Sequence, residues 1–472
     1  MDQTPVTIAG TPTTTQESVE VLNPYTGAVV AEVPLCGPDE VDRACTHAKE
    51  VLRADDLALH QRVAVLETAS RLIAERAEDL ARTLAVEAGK PIRTARGEVA
   101  RAVDTFAFAG AEARHLGGEV LPMAASASGA GKLGFALRVP AGVVAAISPF
   151  NFPLNLVAHK LAPAIAAGCP VVLKPAPQTP LTALALVDLL VDAGLPADWI
   201  SVVTDRRAEA GGPLVEHPVP AVVTFTGSVP VGWGIAAAAP RKRVLLELGS
   251  NSPLLVEPDA DLDGLAARCG PAAFGFAGQS CISVQRLLVH RSVHDQLVDA
   301  LARTADGLVV GDPLDEATDV GPLIAPDEAD RVQSWIAEAV AAGARVVAGG
   351  DREGGVLRPT VVTGVDTDSD LWRREVFGPV VAVRAYDSFD EAIALANDSD
   401  FGLHAGVFTN DLRTALRAVR ELDFGGVLVN EVPTFRADQQ PYGGVRDAGN
   451  TREGPAYAIE EMTTLRFVSL QA

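Results

Sequence analysis

Gly142-Val143-Val144-Ala145-Ala146-Ile147-Ser148-Pro149-Phe150-Asn151-Phe152-Pro153 decides how the rest of the chain is read. A short apolar, β-branched run that stops at a proline turn is a strand buried on both faces, and the text from Leu154 to Ala167 behind it reads as a helix. The alternation then repeats, with a strand from Val171 to Leu173, a helix from Leu181 to Ala193 and a strand from Ala221 to Phe225. A turn at Thr226-Gly227-Ser228, a short helix to Ala239 and a strand from Val244 to Leu248 complete the series. Buried parallel strands with crossover helices predict a doubly wound α/β sheet, whose ligand lies at the carboxyl ends of the strands.

Upstream, residues from Asp39 to about Leu116 carry helical periodicity, for example Leu59, Val63, Leu66, Ala69 and Ile73, punctuated by Pro38-Asp39 and Gly89-Lys90-Pro91. Val19 to Val33 reads as a hairpin turning at Asn23-Pro24-Tyr25-Thr26-Gly27, and residues 1–18 are expected to fray. Gly129-Ala130-Gly131-Lys132-Leu133-Gly134 matches the dinucleotide fingerprint but opens the strand Phe135 to Val139 instead of a helix, so it is read as a hairpin tip. Downstream, a second α/β region runs from Asp261 to about Asp438. Its strands are expected at Val284 to Val289, Arg345 to Val347, Val380 to Arg384, Ala405 to Phe408 and Gly426 to Val429. Helices from Pro326 to Ala342 and from Phe389 to Ala396 lie between them.

The 472 residues exceed one ordinary core, and 48% hydrophobic with 21% charged residues is a globular composition. Lys and Arg number 39 against 61 Asp and Glu, a net charge of −22 that argues against nucleic acid and anionic membranes as partners. No apolar run is long enough to span a bilayer and the first residues lack signal-peptide character, so a cytoplasmic location is expected. Five cysteines at irregular spacing and eight histidines without a ligand motif indicate neither a disulfide framework nor a metal site.

Several short stretches can carry chemistry. Cys281, in Phe274-Gly275-Phe276-Ala277-Gly278-Gln279-Ser280-Cys281, follows an apolar helix and sits in a loop with backbone N–H groups about it. A thiolate can be stabilised and reached there, although a lone cysteine is also a small core residue. Asn151, held between Pro149 and Pro153, offers a fixed amide donor toward an oxyanion, or only supports its turn. Lys174 ends the next strand, where a nucleotide ribose would lie. Gly227 and Ser228 open a helix suited to a phosphate, a role compatible with Ser228 as N-cap. Glu247 is a carboxylate in apolar text whose burial would raise its pKa as a general base needs, or a salt-bridged structural residue. Glu375, in Glu375-Val376-Phe377-Gly378-Pro379, could hold ribose hydroxyls or cap its turn.

In this order these stretches resemble the aldehyde dehydrogenase superfamily, and the similarity extends from Asn23-Pro24 to Glu460-Glu461-Met462-Thr463. The resemblance implies a doubly wound NAD(P)-binding domain (residues 1–117 and 139–248), an α/β catalytic domain (249–440) and a small β oligomerisation element (118–138 and 441–472) in a homodimer or homotetramer. It implies that Cys281 attacks the aldehyde, that Asn151 and the Cys281 N–H hold the oxyanion, and that Glu247 activates water to hydrolyse the thioester to the acid. Lys174 and Glu375 would contact the riboses, Gly227 and Ser228 the pyrophosphate, with Pro149, Phe150 and Phe377 beside the cofactor, NAD or NADP.

Three stretches depart from the family pattern. Gly249-Ser250 replaces a Gly-Gly pair, and Arg446 and Ala448 replace a Lys and a Ser. Pro177 stands where strict NAD enzymes often carry an acid, so NADP is expected to be tolerated, with Arg206 or Arg207 able to attract its 2′-phosphate. Asn430 to Asp438, Gln279 to Arg286 and Asn155 to Lys160 look similar to the branch handling lactaldehyde, glyceraldehyde 3-phosphate and phosphonoacetaldehyde. Arg436 would then pair an anionic substrate, assisted by His159 one helical turn past Asn151, with Phe435 and Ser280 nearby. The alternative for Arg436 is a loop-anchoring ion pair with Asp438 or Asp447. Rival functions are a broad-specificity aldehyde or semialdehyde dehydrogenase, an acylating enzyme and a catalytically idle member.

Overall fold

The computed structural model describes residues 2–54, 56–353 and 355–471. Four helices lead the chain: α1 (Pro38–Ala54), α2 (Leu59–Glu75), α3 (Ala77–Ala88) and α4 (Ile92–Ala113). Val63, Leu66, Ala69 and Ile73 form the buried stripe of α2, as their spacing demands. The expectation that residues 1–18 fray is corrected: Val6–Ile8 pairs antiparallel with Thr11–Thr13. Val6 and Ile8 are buried in the same core as the helices, so alternate apolar side chains outweigh the polar composition around them.

Five parallel strands follow, β1 (Val143–Ile147), β2 (Val171–Lys174), β3 (Ile200–Val202), β4 (Pro220–Thr226) and β5 (Arg243–Glu247), in the order β5-β4-β1-β2-β3. They are connected through α5 (Asn155–Ala167), α6 (Leu181–Asp192), α7 (Gly211–Glu216) and α8 (Val229–Ala238). Strand order reverses between β1 and β4, which pair in register Ile147 to Phe225. The turns leaving these two strands, with Asn151 on one and Ser228 on the other, therefore flank one crevice.

The second sheet contains β6 (Pro253–Val256), β7 (Arg286–His290), β8 (Arg345–Ala348), β9 (Thr360–Thr363), β10 (Val380–Tyr386), β11 (His404–Phe408) and β12 (Gly426–Val429). Their order is β8-β9-β10-β7-β6-β11-β12, and only β8 runs antiparallel to its neighbour. Each large sheet has its own hydrophobic core, and the fold is α/β. A third, antiparallel sheet joins Thr463–Gln471 to Lys132–Pro140 and Gly118–Leu121. Leu133, Leu137, Leu465, Phe467 and Leu470 are exposed on its strands. Gly131 has a positive φ just ahead of Lys132, so the fingerprint-like glycines belong to this hairpin. Among the described residues no helix is long and apolar enough to cross a membrane.

Candidate active site

Helix α9 (Leu262–Phe274) gives way to a turn in which Phe276, Ala277 and Gly278 all have positive φ. A left-handed non-glycine residue costs about 1–2 kcal/mol, so the packing around this turn must hold it. Phe276 lies under Lys90 Nζ at 4.4 Å and edge-on to Phe152, and a side chain at Gly278 would collide with the Gly378 carbonyl. The turn is thus pressed against the Glu375–Pro379 loop and presents Cys281 between them. Cys281 Sγ lies 2.9 Å from Tyr442 Oη. Burial pushes its thiol up to about 12 against the Tyr442 hydrogen bond, with Glu375 and Glu247 adding to the rise and Arg436 opposing it. Its backbone N–H donates to no group among the described residues.

Asn151 is buried and donates from Nδ2 to the Gln279 carbonyl at 3.0 Å, two residues before the cysteine. One amide hydrogen is left to point elsewhere. Its own carbonyl accepts from Lys90 Nζ at 2.8 Å, and Lys90 pairs with Glu98 while lying 3.8 Å over the Phe152 ring. Glu98 accepts in turn from the N–H groups of Leu154 (2.9 Å) and Asn155 (3.1 Å) where α5 begins. On α3, Glu87 does the same for α6, accepting from the N–H groups of Leu181 and Thr182. The leading helices thus pin two strand-to-helix turns through buried carboxylates.

Glu247 ends β5 fully buried, and neither carboxylate oxygen has a partner among the described residues. Burial first, and the charge of Glu453 second, raise its pKa well above the usual carboxylate range, against Arg436, Lys160 and Arg452. Glu453 moves the other way. Burial opposes its charge, but Arg436 and Lys160 outweigh that and hold it down at about 2. Lys160 lies 3.7 Å from Glu453 and donates to Thr226 Oγ1 at 2.7 Å. Arg436 pairs with Glu453 at 2.8 Å, lies 3.0 Å from His159 Nε2 and stacks 3.8 Å over the Tyr442 ring. Arg101 on α4 forks onto Asp438, which also meets Asn155 and His159. Burial, then Arg436, lowers the His159 pKa and keeps it neutral.

A cavity of about 730 Å³ opens at Cys281 and runs along the carboxyl ends of β1, β2 and β4. Cys281 and Asn151 line it, as do all seven residues expected at a cofactor: Pro149, Phe150, Lys174, Gly227, Ser228, Glu375 and Phe377. Lys174 is fixed by Asp205 at 2.8 Å. Glu375 accepts from Ser250 N at 3.0 Å and is pushed up to about 7 by burial against that bond. That bond comes from the backbone of residue 250, which a glycine there would offer equally, and the Ser250 hydroxyl has no partner among the described residues. Phe377, itself at positive φ, meets Phe150 edge to face at 5.8 Å. A side chain at Gly212 on α7 or Gly234 on α8, both on the cavity wall, would project into open space. The flat gap between these helices, the cation at Lys174 and the helix start at Ser228 fit a dinucleotide.

The remaining predicted residues are placed differently. Arg436 and His159 meet behind Tyr442, and the ion-pair partner of Arg436 is Glu453, not Asp438 or Asp447. His159 lies farther along than one turn past Asn151, because α5 begins only at Asn155. Phe435 stands half exposed, and Ser280 accepts weakly from Ile282 N at 3.4 Å. Arg446 donates to the Asn397, Ser399 and Asp423 carbonyls. The sequence reading missed Lys90, Glu98, Arg101, Lys160, Tyr442 and Glu453. Tyr442 and Glu453 fall within the 441–472 stretch expected at subunit contacts, yet sit around Cys281 and Glu247. A signal existed for Lys160, a charge in a helix whose thirteen residues are all buried.

The sequence model described as Aldehyde dehydrogenase family matches residues 11–468. The chain is 47% identical, over 97% of its length and 96% of the relative's, to a 3-sulfolactaldehyde dehydrogenase of Priestia megaterium. The crystal structure of aldehyde dehydrogenase 21 from Physcomitrella patens with the reaction product succinate superposes with a TM-score of 0.96 at 39% identity, covering 100% of this chain and 98% of that one. That of the NADP-dependent glyceraldehyde-3-phosphate dehydrogenase of Bacillus halodurans with NADP gives 0.97 at 35% identity, with 100% of both chains covered.

Proposed function

This chain belongs to the aldehyde dehydrogenase family, and from that premise we propose that it oxidises a short, hydroxylated or otherwise polar aldehyde bearing an anionic group to the carboxylic acid. Enzymes of this family use NAD or NADP. The reading is carried by one observation, the buried guanidinium of Arg436 stacked on the tyrosine that bonds Cys281, with its Nε left without a partner among the described residues. Around it three cations, Arg101, Lys160 and Arg436, face two carboxylates that pair with them, Asp438 and Glu453. In a chain of net charge −22, that local excess suits an anion. The relatives named above act on, or hold, small molecules with a sulfonate, carboxylate or phosphate.

Cys281 attacks the aldehyde carbon, the C–S bond forming as the carbonyl π pair moves onto oxygen. The Asn151 amide and the Cys281 N–H donate to that oxyanion, and the thiol proton passes through water to the Glu247 carboxylate, which releases it to solvent before hydrolysis begins. When bound, the nicotinamide supplies the hydride acceptor that turns the adduct into a thioester. Glu247, lacking protein partners and raised in basicity by burial, then takes a proton from the water that attacks the thioester. The acid leaves and Cys281 recovers its proton. The residues of the cleft hold the dinucleotide, with Lys174 and Glu375 toward riboses and Gly227 and Ser228 toward phosphates. Pro177 presents no carboxylate and Arg207 lines the wall, which favours tolerance of NADP. Residues 1–117 and 139–248 would form the cofactor domain and 249–440 the catalytic one. The sheet containing Thr463–Gln471 would join subunits into a dimer or tetramer.

Aldehydes of equal length carrying sulfonate, phosphate, carboxylate or only hydroxyls, assayed with both cofactors, test the substrate class. Anionic members should exceed the neutral one at least tenfold in kcat/KM, and Cys281→Ser should abolish NAD(P)H formation. Equal constants across the panel would sink the anionic reading.

A further inference from the structure

We propose that Tyr442 is a further catalytic residue whose hydroxyl donates to the Cys281 sulfur and stabilises the attacking thiolate. The proposal rests on Cys281 being the nucleophile. Tyr442 Oη lies 2.9 Å from Sγ, and no other hydrogen bond reaches this hydroxyl among the described residues. The ring cannot swing away easily. His404 meets it edge-on at 5.0 Å, the Arg436 guanidinium covers a face at 3.8 Å, and Ile282, Leu403 and Ala448 pack with it. Its backbone is tied in both directions to Glu453, by bonds of 2.9 and 2.6 Å.

The electrostatics around the sulfur give that bond its importance. Glu375 from the loop before β10 and Glu247 from the end of β5 disfavour a negative sulfur, and burial does so more strongly. Arg436 opposes them from behind the tyrosine ring, and Tyr442 alone among the described residues hydrogen-bonds the sulfur. A hydrogen bond to an ionised acceptor is stronger than one to a neutral acceptor, so it favours the thiolate over the thiol. A guanidinium on the ring face polarises the phenol and makes it a better donor. Burial holds the Tyr442 phenol far from ionising, so it keeps its proton throughout and the thiol proton departs elsewhere. His404 is kept neutral, its pKa lowered to about 4 by burial, and its Nδ1 is engaged by the Pro433 carbonyl at 2.8 Å, so it neither competes for the sulfur nor titrates in the working range.

The test is the pH dependence of Cys281 alkylation by iodoacetamide, followed by peptide mass spectrometry, in the full-length protein and in Tyr442→Phe. The inflection should move upward by about one pH unit on loss of a hydrogen bond to a charged group. Superimposable profiles would overturn the proposal. Dinucleotide affinity, measured by fluorescence, should be unchanged in the variant, because Tyr442 lies off the cofactor cleft. If Tyr442→Phe fails to fold, 3-fluorotyrosine placed at position 442 gives a more acidic donor and should move the inflection downward, and an unmoved inflection there would equally refute the assignment. Alkylation needs neither aldehyde nor cofactor, so this readout judges Tyr442 even in a protein that oxidises no aldehyde.

Discussion

The two sides of Cys281 are built on opposite physical terms. On one side lies an open cleft with largely apolar walls, assembled where β1, β2 and β4 end. On the other lies a packed charged cluster drawn from distant segments, with Arg101 on α4, Lys160 on α5, Arg436 and Asp438 after β12, and Glu453 near the carboxyl end. Sheet topology delivers the first, since any doubly wound sheet leaves a crevice at its switch point. Charge compensation delivers the second, because buried ions persist only when paired. Under the proposed function the cleft would set what the protein holds, whereas the cluster would set which proton moves and which substrate is accepted.

Substitutions should respect that division, and the largest effect is expected at their border. Glu247→Gln should slow thioester hydrolysis by about 10²–10³-fold while leaving dinucleotide affinity intact, so that roughly one equivalent of NAD(P)H appears in a burst before slow turnover. In the parent protein the same step should fall off with acidity. The base must be a carboxylate, its pKa is raised by burial, and protonation therefore sets in from the neutral side instead of near the usual carboxylate value. Stopped-flow traces across pH check both statements, and a variant without a burst would mean that Glu247 acts before acylation.

A smaller effect is expected within the charged cluster. Arg101→Met removes a partly exposed cation while His159 and Asn155 continue to hold Asp438. KM for an anionic aldehyde should rise about thirtyfold and that for a neutral one about threefold or less, a ratio in the range of one charge-assisted hydrogen bond. Equal rises would make Arg101 a structural brace only. The smallest change belongs to the cleft wall, where Arg207→Ala should lower kcat/KM for NADP about fivefold and leave NAD unaffected. Loss of activity with both cofactors alike would blur the boundary between the two regions.

The same division governs what could be read from the residues alone. Asn151, Lys174, Ser228 and Glu375 sit at the ends of strands or beside proline turns and Cys281 in the loop after an apolar helix, where local text fixes position, and the structure sets them around one cavity. Strands β3, β6 and β9 are absent from the sequence reading, and brevity alone does not account for this, since β2, β8 and β12 are four residues long like β6 and β9 and were expected. Lys90 reads locally as part of a Gly-Lys-Pro break, and only burial against Phe152 and Phe276 makes it the partner of Glu98 and of the Asn151 carbonyl. Tyr442 and Glu453 lie where local text gives no sign of a nucleophile far upstream. Residues 1–18 failed as an expectation for the reverse reason, since polar composition hid the alternation of Val6 and Ile8.

The buttress formed by Glu87, Lys90 and Glu98 bears on anyone wishing to transplant this chemistry. A scaffold carrying both sheets and every residue that touches aldehyde or dinucleotide, but shorn of the leading helices, would leave the starts of α5 and α6 without their carboxylate acceptors. It would also release the carbonyl of the amide donor itself. The smallest portable version of this reaction centre therefore reaches back some sixty residues ahead of its first chemical group, to a segment that touches no reactant.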